Sequence, residues 1–347
     1  MEHKSLLKPA VFVLILVTFA VLFCEFYIRN KGVAISYDDG PSLWSNTRKM
    51  VYEPADKACV FIGSSRNKFD LDIPTWEKAT GIHAIQLAVV GSSPRSILTD
   101  LANDSNFKGK LIVDVTEGLF FSNAPNNFDV PNKNIKYFHD ETPAQKASFQ
   151  LNKILESMFV FLDKDFFSLN AQLDALEIPS RPGVFMMPIF PRDFDRNTFE
   201  RQSYMTNKFV VDTLQQNQVK GIWFFFAQMS KKAPPMKETE LTSIFESVKN
   251  DVDKIKSRGG EVLFVRTPSS GPYLAGENMG FPRAKYWDRL LNVTECQGIH
   301  FVDYPAINHF ECPEFSHLSQ PQAIVFTQQI IKILETEKGW KFPISKN

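Results

Sequence analysis

The sequence predicts an α/β fold in which a parallel sheet has helices on both faces and is preceded by one N-terminal transmembrane helix. Three patterns predict it: short continuous apolar runs, amphipathic segments between them, and a long uncharged apolar stretch near the N-terminus. Strands that are apolar on both faces are typical of a parallel sheet buried between helices. The runs predicted as strands are 59–62, 85–90, 111–115, 222–226, 262–265 and 299–302.

Two segments have the three-and-four spacing of apolar residues that indicates an amphipathic helix. The first is 238–257, which ends at a pair of glycines, and the second is 323–335. Between about 122 and 219 the alternation of strands and helices is interrupted by apolar-periodic segments such as 144–161 and by a proline-rich stretch, 179–191. We interpret 122–219 as a helical insertion over the sheet.

The N-terminal apolar stretch, residues 9–28, predicts a membrane anchor. At about 1.5 Å per residue, a helix of this length spans the ~30 Å hydrocarbon core of a bilayer. The stretch ends in bulky residues around Phe23 and Cys24, whereas a signal peptidase or lipoprotein site needs small ones. We therefore expect an uncleaved, single-pass signal anchor.

The anchor divides the chain into four predicted parts. Residues 1–8 form a cytoplasmic tail, 9–28 the transmembrane segment, 29–55 a polar, irregular tether, and 56–340 a soluble domain outside the cytoplasm. Basic residues flank the anchor on both sides and give little asymmetry for the positive-inside rule. We place the N-terminus in the cytoplasm because the chemistry expected of the soluble domain, described below, belongs outside it.

The composition excludes some classes of function. The chain carries 39 basic and 39 acidic residues, and a net charge of zero argues against a nucleic-acid-binding protein. No phosphate-binding glycine loop and no cluster of metal ligands occurs, so no cofactor or metal is predicted. Cys296 and Cys312 have two open interpretations, a disulfide in an oxidising compartment or two buried thiols.

Chemically competent residues follow the first predicted strand and precede the last predicted helix. Gly63, Ser64 and Ser65 lie on the turn after 59–62, and ligands of open α/β sheets bind at the carboxyl ends of the strands. Near the other end of the chain, Glu314 and His317 offer an acid and an imidazole three residues apart. A serine hydroxyl becomes a nucleophile when an imidazole takes its proton and an acid orients that imidazole.

These short sequence motifs, called blocks below and numbered by the strand that each one follows, resemble those of the SGNH (GDSL-type) hydrolase family. The resemblance covers about residues 58–335. The resemblance implies a three-layer, flavodoxin-like fold. It also implies that Ser65 is the nucleophile, His317 the general base, Glu314 the orienting acid, and that the N–H groups of Ser65 and Gly91 line the oxyanion hole. Ser64 stands where the family has Asp, and Glu314 where it has Asp.

The third block of the family is missing. After 111–115 the chain has Thr116, Glu117 and Gly118 in place of a glycine and an asparagine that donates to the oxyanion. We consider Asn67 or a residue of the insertion as a substitute donor. Glu117 is interpreted as a solvated loop carboxylate or, alternatively, as a pocket residue.

Three further residues have alternative interpretations. Arg66 and Arg95 follow the first two blocks and are interpreted as solvated, or as contacts to an acidic polymer. His309 is interpreted as a surface-loop residue, with a rival base or a partner of His317 as the alternative.

The resemblance implies a function outside the cytoplasm. It favours a serine esterase or acyltransferase that acts on an acylated, in particular acetylated, polysaccharide, as in anchored proteins that modify cell-wall or exported polymers. The expected partners are the acylated cell-envelope glycan, the membrane through 9–28 and a membrane acyltransferase. The alternative is a catalytically inactive scaffold or polymer-binding protein with the same fold, which the missing third block favours.

Overall fold

The computed structural model describes residues 6–174, 176, 183, 187–230 and 236–344. The chain forms two compact units. The anchor unit comprises Met1–Asp38 and Ala144–Met186, and the sheet unit comprises Asp39–Pro143 and Met187–Asn347.

Five strands form one parallel sheet in the order β2-β1-β3-β6-β7, and β4 and β5 form a small antiparallel pair. The predicted strands at 59–62, 111–115 and 262–265 are confirmed. Those at 85–90 and 299–302 are confirmed only at 85–86 and 299–300, because the observed strands begin and end earlier than predicted. The strands are β1 (Ala58–Ile62), β2 (His83–Gln86), β3 (Lys110–Asp114), β4 (Arg196–Asn197), β5 (Ser203–Tyr204), β6 (Glu261–Arg266) and β7 (Gln297–His300).

The helices account for most of the remaining described chain. In order they are α1 (Leu7–Asn30), α2 (Pro41–Arg48), α3 (Ser65–Asp70), α4 (Ile73–Thr80), α5 (Arg95–Asn103), α6 (Glu117–Phe120), α7 (Asn126–Asp140), α8 (Pro143–Met158), α9 (Lys164–Phe167), α10 (Leu169–Asp174), α11 (Asn207–Val211), α12 (Thr213–Ser230), α13 (Glu238–Ser257), α14 (Gly271–Gly280), α15 (Trp287–Thr294) and α16 (Gln320–Thr336). Short 3₁₀ turns occupy Lys49–Tyr52, Val160–Leu162 and Phe301–Asp303.

The sheet is buried on both faces because alternate side chains of each strand enter different cores. Val60 and Ile62 belong to a core shared with α5, α13 and α15. Cys59 and Phe61 belong to a second core shared with α4 and α16. The sequence-based prediction of an α/β fold with a parallel sheet flanked by helices is confirmed.

The prediction of a strand at 222–226 is wrong, since these residues lie inside α12. Val219, Ile222, Trp223 and Phe226 have the helical three-and-four spacing, and the first two are buried. A five-residue apolar run does not by itself distinguish a strand from the buried side of a helix.

The predicted helices at 238–257 and 323–335 are confirmed as α13 and α16. α16 begins three residues earlier than predicted, at a capping box in which Ser319 and Gln322 bond each other's backbone. The predicted helical segment 144–161 is α8 followed by a 3₁₀ turn. Of the proline-rich stretch 179–191, residues 179–182 and 184–186 lie outside the described residues.

The prediction of an irregular tether at 29–55 is wrong for residues 41–52, which form α2 and a 3₁₀ turn. The indole of fully buried Trp44 donates to the carbonyl of Leu87 at 3.0 Å. The guanidinium of Arg48, also fully buried, bonds Asp100 at 2.8 Å and Asp104 at 2.9 Å. The sequence of 41–52 looked polar and therefore exposed. Its charged residue Arg48 can nevertheless be buried, because acids about fifty residues away in the sequence neutralise it.

Cys296 and Cys312 are free thiols in the structure. Cys296 packs against the first core and Cys312 lies in the second. The two cores lie on opposite faces of the sheet, so no disulfide joins these residues.

In the anchor unit, α1 is long and apolar enough to cross a membrane, with a mean hydropathy of 2.6. Its C-terminal end is bonded to the 3₁₀ turn that follows α8, through Glu25. The sheet unit carries the residues of the candidate site.

Candidate active site

Ser65 is the first residue of α3 and lies directly after the turn that ends β1. Gly63 is required in this turn, because a Cβ there would lie 2.6 Å from Cβ of Asp114. Ser65 is half-exposed, whereas Ser64 and Arg66 on either side are buried. The turn therefore presents one hydroxyl at the carboxyl edge of the sheet, as predicted.

Ser65, His317 and Glu314 form a continuous chain of hydrogen bonds. Oγ of Ser65 lies 2.8 Å from Nε2 of His317, and Nδ1 of His317 lies 2.8 Å from Oε1 of Glu314. His317 and Glu314 are 1% and 0% exposed. A carboxylate at Nδ1 favours the tautomer with its proton there, which leaves Nε2 free to accept the proton of Ser65.

Two donors hold the carboxylate of Glu314. The backbone N–H of His317 donates to Oε1 at 2.6 Å, and the indole N–H of Trp223 donates to Oε2. Phe315, between the acid and the base, has a left-handed φ of +80°. A residue with a side chain adopts this conformation at a cost of about 1–3 kcal/mol, and such strain concentrates at functional sites.

Three aromatic rings surround the imidazole of His317. Its centroid lies 4.5 Å from that of Phe69, 5.8 Å from that of Trp223 and 5.9 Å from that of Phe194. These rings belong to a third apolar cluster that α11 and α12 complete. Because the rings exclude water, they strengthen the electrostatic pairing of the imidazole with Glu314.

The segment that leads to Gly91 runs beside the end of β1 and the turn that follows it. Past the end of β2, the N–H of Leu87 donates to Phe61 O at 2.8 Å and the N–H of Val89 donates to Gly63 O at 3.1 Å. Gly91 follows two residues after Val89, in a turn, whereas Ser65 already belongs to α3. Gly91 has a φ of +63°, and a Cβ there would meet open space, so there is room for a ligand above its backbone.

The hydroxyls near the missing third block are already engaged. Oδ2 of Asp114 lies 3.3 Å from Oγ of Ser64 and 3.0 Å from Oγ1 of Thr116. Burial raises the pKa of Asp114. Asp114 lies at the end of β3 and contacts Ser64, the residue that stands where the resembling family has Asp. A carboxylate is therefore present beside this turn, but it comes from another strand.

Asn67 does not substitute for the missing donor. Its side chain is fully buried, its Nδ2 donates to Ile62 O at 3.4 Å, and its Oδ1 accepts from Nε2 of Gln86 at 2.9 Å. The amide therefore bonds the sheet rather than a ligand, and the interpretation of Asn67 as an oxyanion donor is wrong.

Arg66 and Glu117 are buried, so their interpretation as solvated residues is wrong. Nη2 of Arg66 bonds Glu277 at 2.5 Å, Glu277 bonds Nη2 of Arg266 at 2.6 Å, and Nε of Arg266 bonds Glu117 at 3.0 Å. Burial alone would raise the pKa of Glu277, but the two guanidinium groups outweigh it and lower that pKa to about 2. This chain of ion pairs joins α3 to α14.

Asp70 joins the helix of the nucleophile to the loop of the base. It is the last residue of α3, is fully buried, and its Oδ1 accepts the backbone N–H of Leu318 at 2.9 Å. Burial raises the pKa of Asp70 to about 7, against the opposing effect of His317. Within the described residues, Oδ2 of Asp70 and Oγ1 of Thr267 have no hydrogen-bond partner, and Thr267 is close enough to oppose the effect of burial on the pKa of Asp70.

We expect the variant Asp70→Asn to become more stable, relative to the unchanged protein, as the pH rises. In the unfolded chain Asp titrates near pH 4, so between about pH 4 and about pH 7 only the folded state holds this proton and its stability falls with pH. Asn keeps the acceptor for Leu318 and has no proton to lose. Urea unfolding of both proteins should show a difference that grows by up to about 4 kcal/mol over this range. A difference independent of pH would contradict the buried, protonated Asp70.

The other histidines that the structure describes make no hydrogen bond to the triad. His309 is exposed and bonds the carbonyl of Pro305 at 3.2 Å, which confirms its interpretation as a surface-loop residue. Burial, followed by the charges of Arg266 and Arg283, lowers the pKa of His300 to about 3.

Arg95 lines a surface groove of about 750 Å³ that includes no residue of the triad. Its guanidinium bonds Ser122 O and Oδ1 of Asn123, so it is not freely solvated.

The structure brings together all three residues predicted as a triad and sets Gly91 on the adjacent turn. Trp223 and Asp114 were missed as partners in the site. No protein-family model matches the sequence, and no curated protein matches it. The candidate site is therefore defined by the geometry of its own residues.

Proposed function

We propose that the protein is an SGNH-like serine esterase or O-acyltransferase, anchored in a membrane and acting outside the cytoplasm on an acylated, in particular acetylated, polysaccharide. The observation that carries the proposal is the bonded chain Ser65–His317–Glu314, with 2.8 Å at each step. Ester chemistry uses this set of groups, since the serine attacks, the imidazole transfers protons and the acid stabilises the imidazolium.

In the proposed reaction, Oγ of Ser65 attacks the ester carbonyl carbon while its proton passes to Nε2 of His317. The resulting oxyanion accepts hydrogen bonds from the N–H groups of Ser65 and Gly91. When the tetrahedral intermediate collapses, the leaving alkoxide takes the proton from Nε2 and an acyl-Ser65 ester remains. Water or a sugar hydroxyl then attacks this ester, again through His317, and restores Ser65.

An oxyanion hole with two backbone donors and without the third donor of the family implies slow turnover. Loss of one oxyanion donor typically lowers kcat by about a hundredfold to a thousandfold. The hydroxyl of Thr116 bonds Asp114 and the amide of Asn67 bonds Gln86, so neither replaces the missing third donor. We therefore expect an enzyme slower than those with the complete third block.

The strand order supports the finer fold proposal. The order β2-β1-β3-β6-β7 corresponds to the 2-1-3-4-5 order of flavodoxin-like folds, with helices packed against both faces. Sites in such folds lie outside the carboxyl ends of the strands, where Ser65 is found.

The alternative function is an inactive scaffold or polymer-binding protein. A protein that had lost turnover would have no reason to keep a buried acid, an oriented imidazole and a half-exposed serine at hydrogen-bond distance. The intact chain of hydrogen bonds therefore favours the catalytic proposal, even though the third block is missing.

The proposal is tested with the full chain in detergent and p-nitrophenyl acetate as substrate. We expect saturable hydrolysis that falls to the background rate in His317→Ala. His309→Ala is the matched control, because this histidine lies eight residues earlier on an exposed loop, and it should keep most of the activity. Equal rates in all three proteins would sink the esterase proposal and favour the scaffold.

A further inference from the structure

Helix α8 carries an exposed apolar stripe. Leu151, Ile154, Leu155 and Met158 are 66%, 53%, 44% and 55% exposed. Their spacing of three, four and seven residues places all four on one side of the helix. Adjacent large apolar side chains left in the open mark an interaction surface.

The opposite side of α8 is less exposed. Phe149 is buried, and Lys153 and Glu156 are half-buried. At 100° per residue these three positions lie across the helix from the stripe. A helix of a water-soluble domain normally turns its apolar stripe inward and its charges outward. In α8 the four large apolar residues of the stripe lie outward instead, so the medium that the stripe contacts is expected to be apolar.

The C-terminal end of α8 is bonded to the end of the apolar helix α1. Nη2 of Arg29 donates to Met158 O at 2.9 Å. The carboxylate of Glu25 accepts the N–H groups of Val160 at 3.0 Å and Phe161 at 3.2 Å. Glu25 and Arg29 are the charged residues that terminate the apolar run of α1. The stripe therefore begins where the membrane-spanning length of α1 ends.

The exposed apolar surface continues beyond α8 within the anchor unit. Leu169 and Leu173, one helical turn apart on α10, are 74% and 50% exposed, and Leu176 is 59% exposed. All of these residues belong to the same compact unit as α1. The apolar surface is thus a repeated feature of the unit that holds the anchor.

We propose that α8 lies in the surface of the membrane that α1 crosses, with Leu151, Ile154, Leu155 and Met158 inserted among the lipids. The occupant is lipid because the bonds to Glu25 and Arg29 hold α8 at the membrane end of the chain. Interfacial helices bury their apolar side roughly 5–10 Å into the boundary between headgroups and acyl chains. The half-buried charges of α8 are of both signs, so apolar insertion rather than attraction to anionic lipid drives the contact.

The test uses the full chain reconstituted in phosphatidylcholine vesicles. Cys24→Ala and Cys296→Ala remove the exposed and the half-buried thiol and leave the buried Cys59 and Cys312. Leu151→Cys then carries an environment-sensitive fluorophore. Asn152→Cys is the matched control. Asn152 is also exposed, but it lies about 100° round the helix from Leu151 and therefore outside the stripe. We expect lipid-attached quenchers to reduce the fluorescence at 151 several-fold more than at 152, and aqueous iodide to do the reverse.

Two outcomes would overturn the proposal. Iodide quenching at 151 equal to that at 152 would place the stripe in water, and resistance of 151 to both quenchers would place it against a protein, such as a second copy of the chain. Leu155→Cys repeats the measurement at a second position of the stripe, so a local disturbance at 151 does not decide the result.

Discussion

Replacing Ser65 by alanine is expected to lower kcat for p-nitrophenyl acetate by at least about ten-thousandfold. The hydroxyl is the atom that forms the acyl-enzyme, and its removal leaves the imidazole with no proton to accept from the protein. The imidazole, the acid and the backbone donors remain in place, so the substrate still binds. The loss should therefore appear in kcat, with little change in KM.

The matched control is Ser105→Ala, which removes an exposed hydroxyl outside the site. It should leave kcat unchanged, and both variants should unfold at the temperature of the unchanged protein, because Ser65 is half-exposed and its hydroxyl contacts only His317 among the described residues. Activity in Ser65→Ala close to that of Ser105→Ala would assign the nucleophile elsewhere.

Glu314→Gln is expected to lower kcat by about ten-thousandfold. The carboxylate accepts from the backbone N–H of His317, from Nδ1 of the same residue and, through its other oxygen, from Trp223. A glutamine has one acceptor and one donor end. In either orientation its NH₂ faces a donor, so the tautomer of His317 or the position of the side chain is lost.

This explanation predicts a coupling between Glu314 and Trp223. In Trp223→Phe the ring remains but the donor to Oε2 is gone, and the NH₂ of a glutamine no longer meets an N–H there. The double variant should therefore recover part of the activity lost in Glu314→Gln, as a double-mutant cycle on kcat would show. Strictly additive losses would mean that Trp223 does not orient the acid.

The sheet was predictable because its strands are apolar on both faces. Such runs are short and end at turn residues, and the runs at 59–62, 111–115 and 262–265 form β1, β3 and β6. The run at 222–226 has the same composition, but its apolar neighbours continue at helical spacing into Val219. The run at 222–226 can be distinguished from a strand only when the residues before it are considered as well. Within five residues, the spacing of a buried helix and that of a buried strand look alike.

The triad was predictable because its members are close to the ends of regular elements. Trp223 was missed because its contact with Glu314 spans 91 residues and depends on the placement of α12. Asp114 gave a weak signal, as a charge inside the otherwise apolar run 111–115. A buried charge is costly and requires partners, which here are the hydroxyls of Ser64 and Thr116.

The most direct test of the central claim is covalent labelling of Ser65. A fluorophosphonate reacts with an activated serine by forming an Oγ–P bond as fluoride leaves, while the base takes the serine proton. Mass spectrometry of the labelled full chain should find the adduct on the peptide containing Ser65, and none in His317→Ala. An unlabelled Ser65, or an adduct that persists without His317, would contradict the assignment of Ser65 as the nucleophile activated by His317.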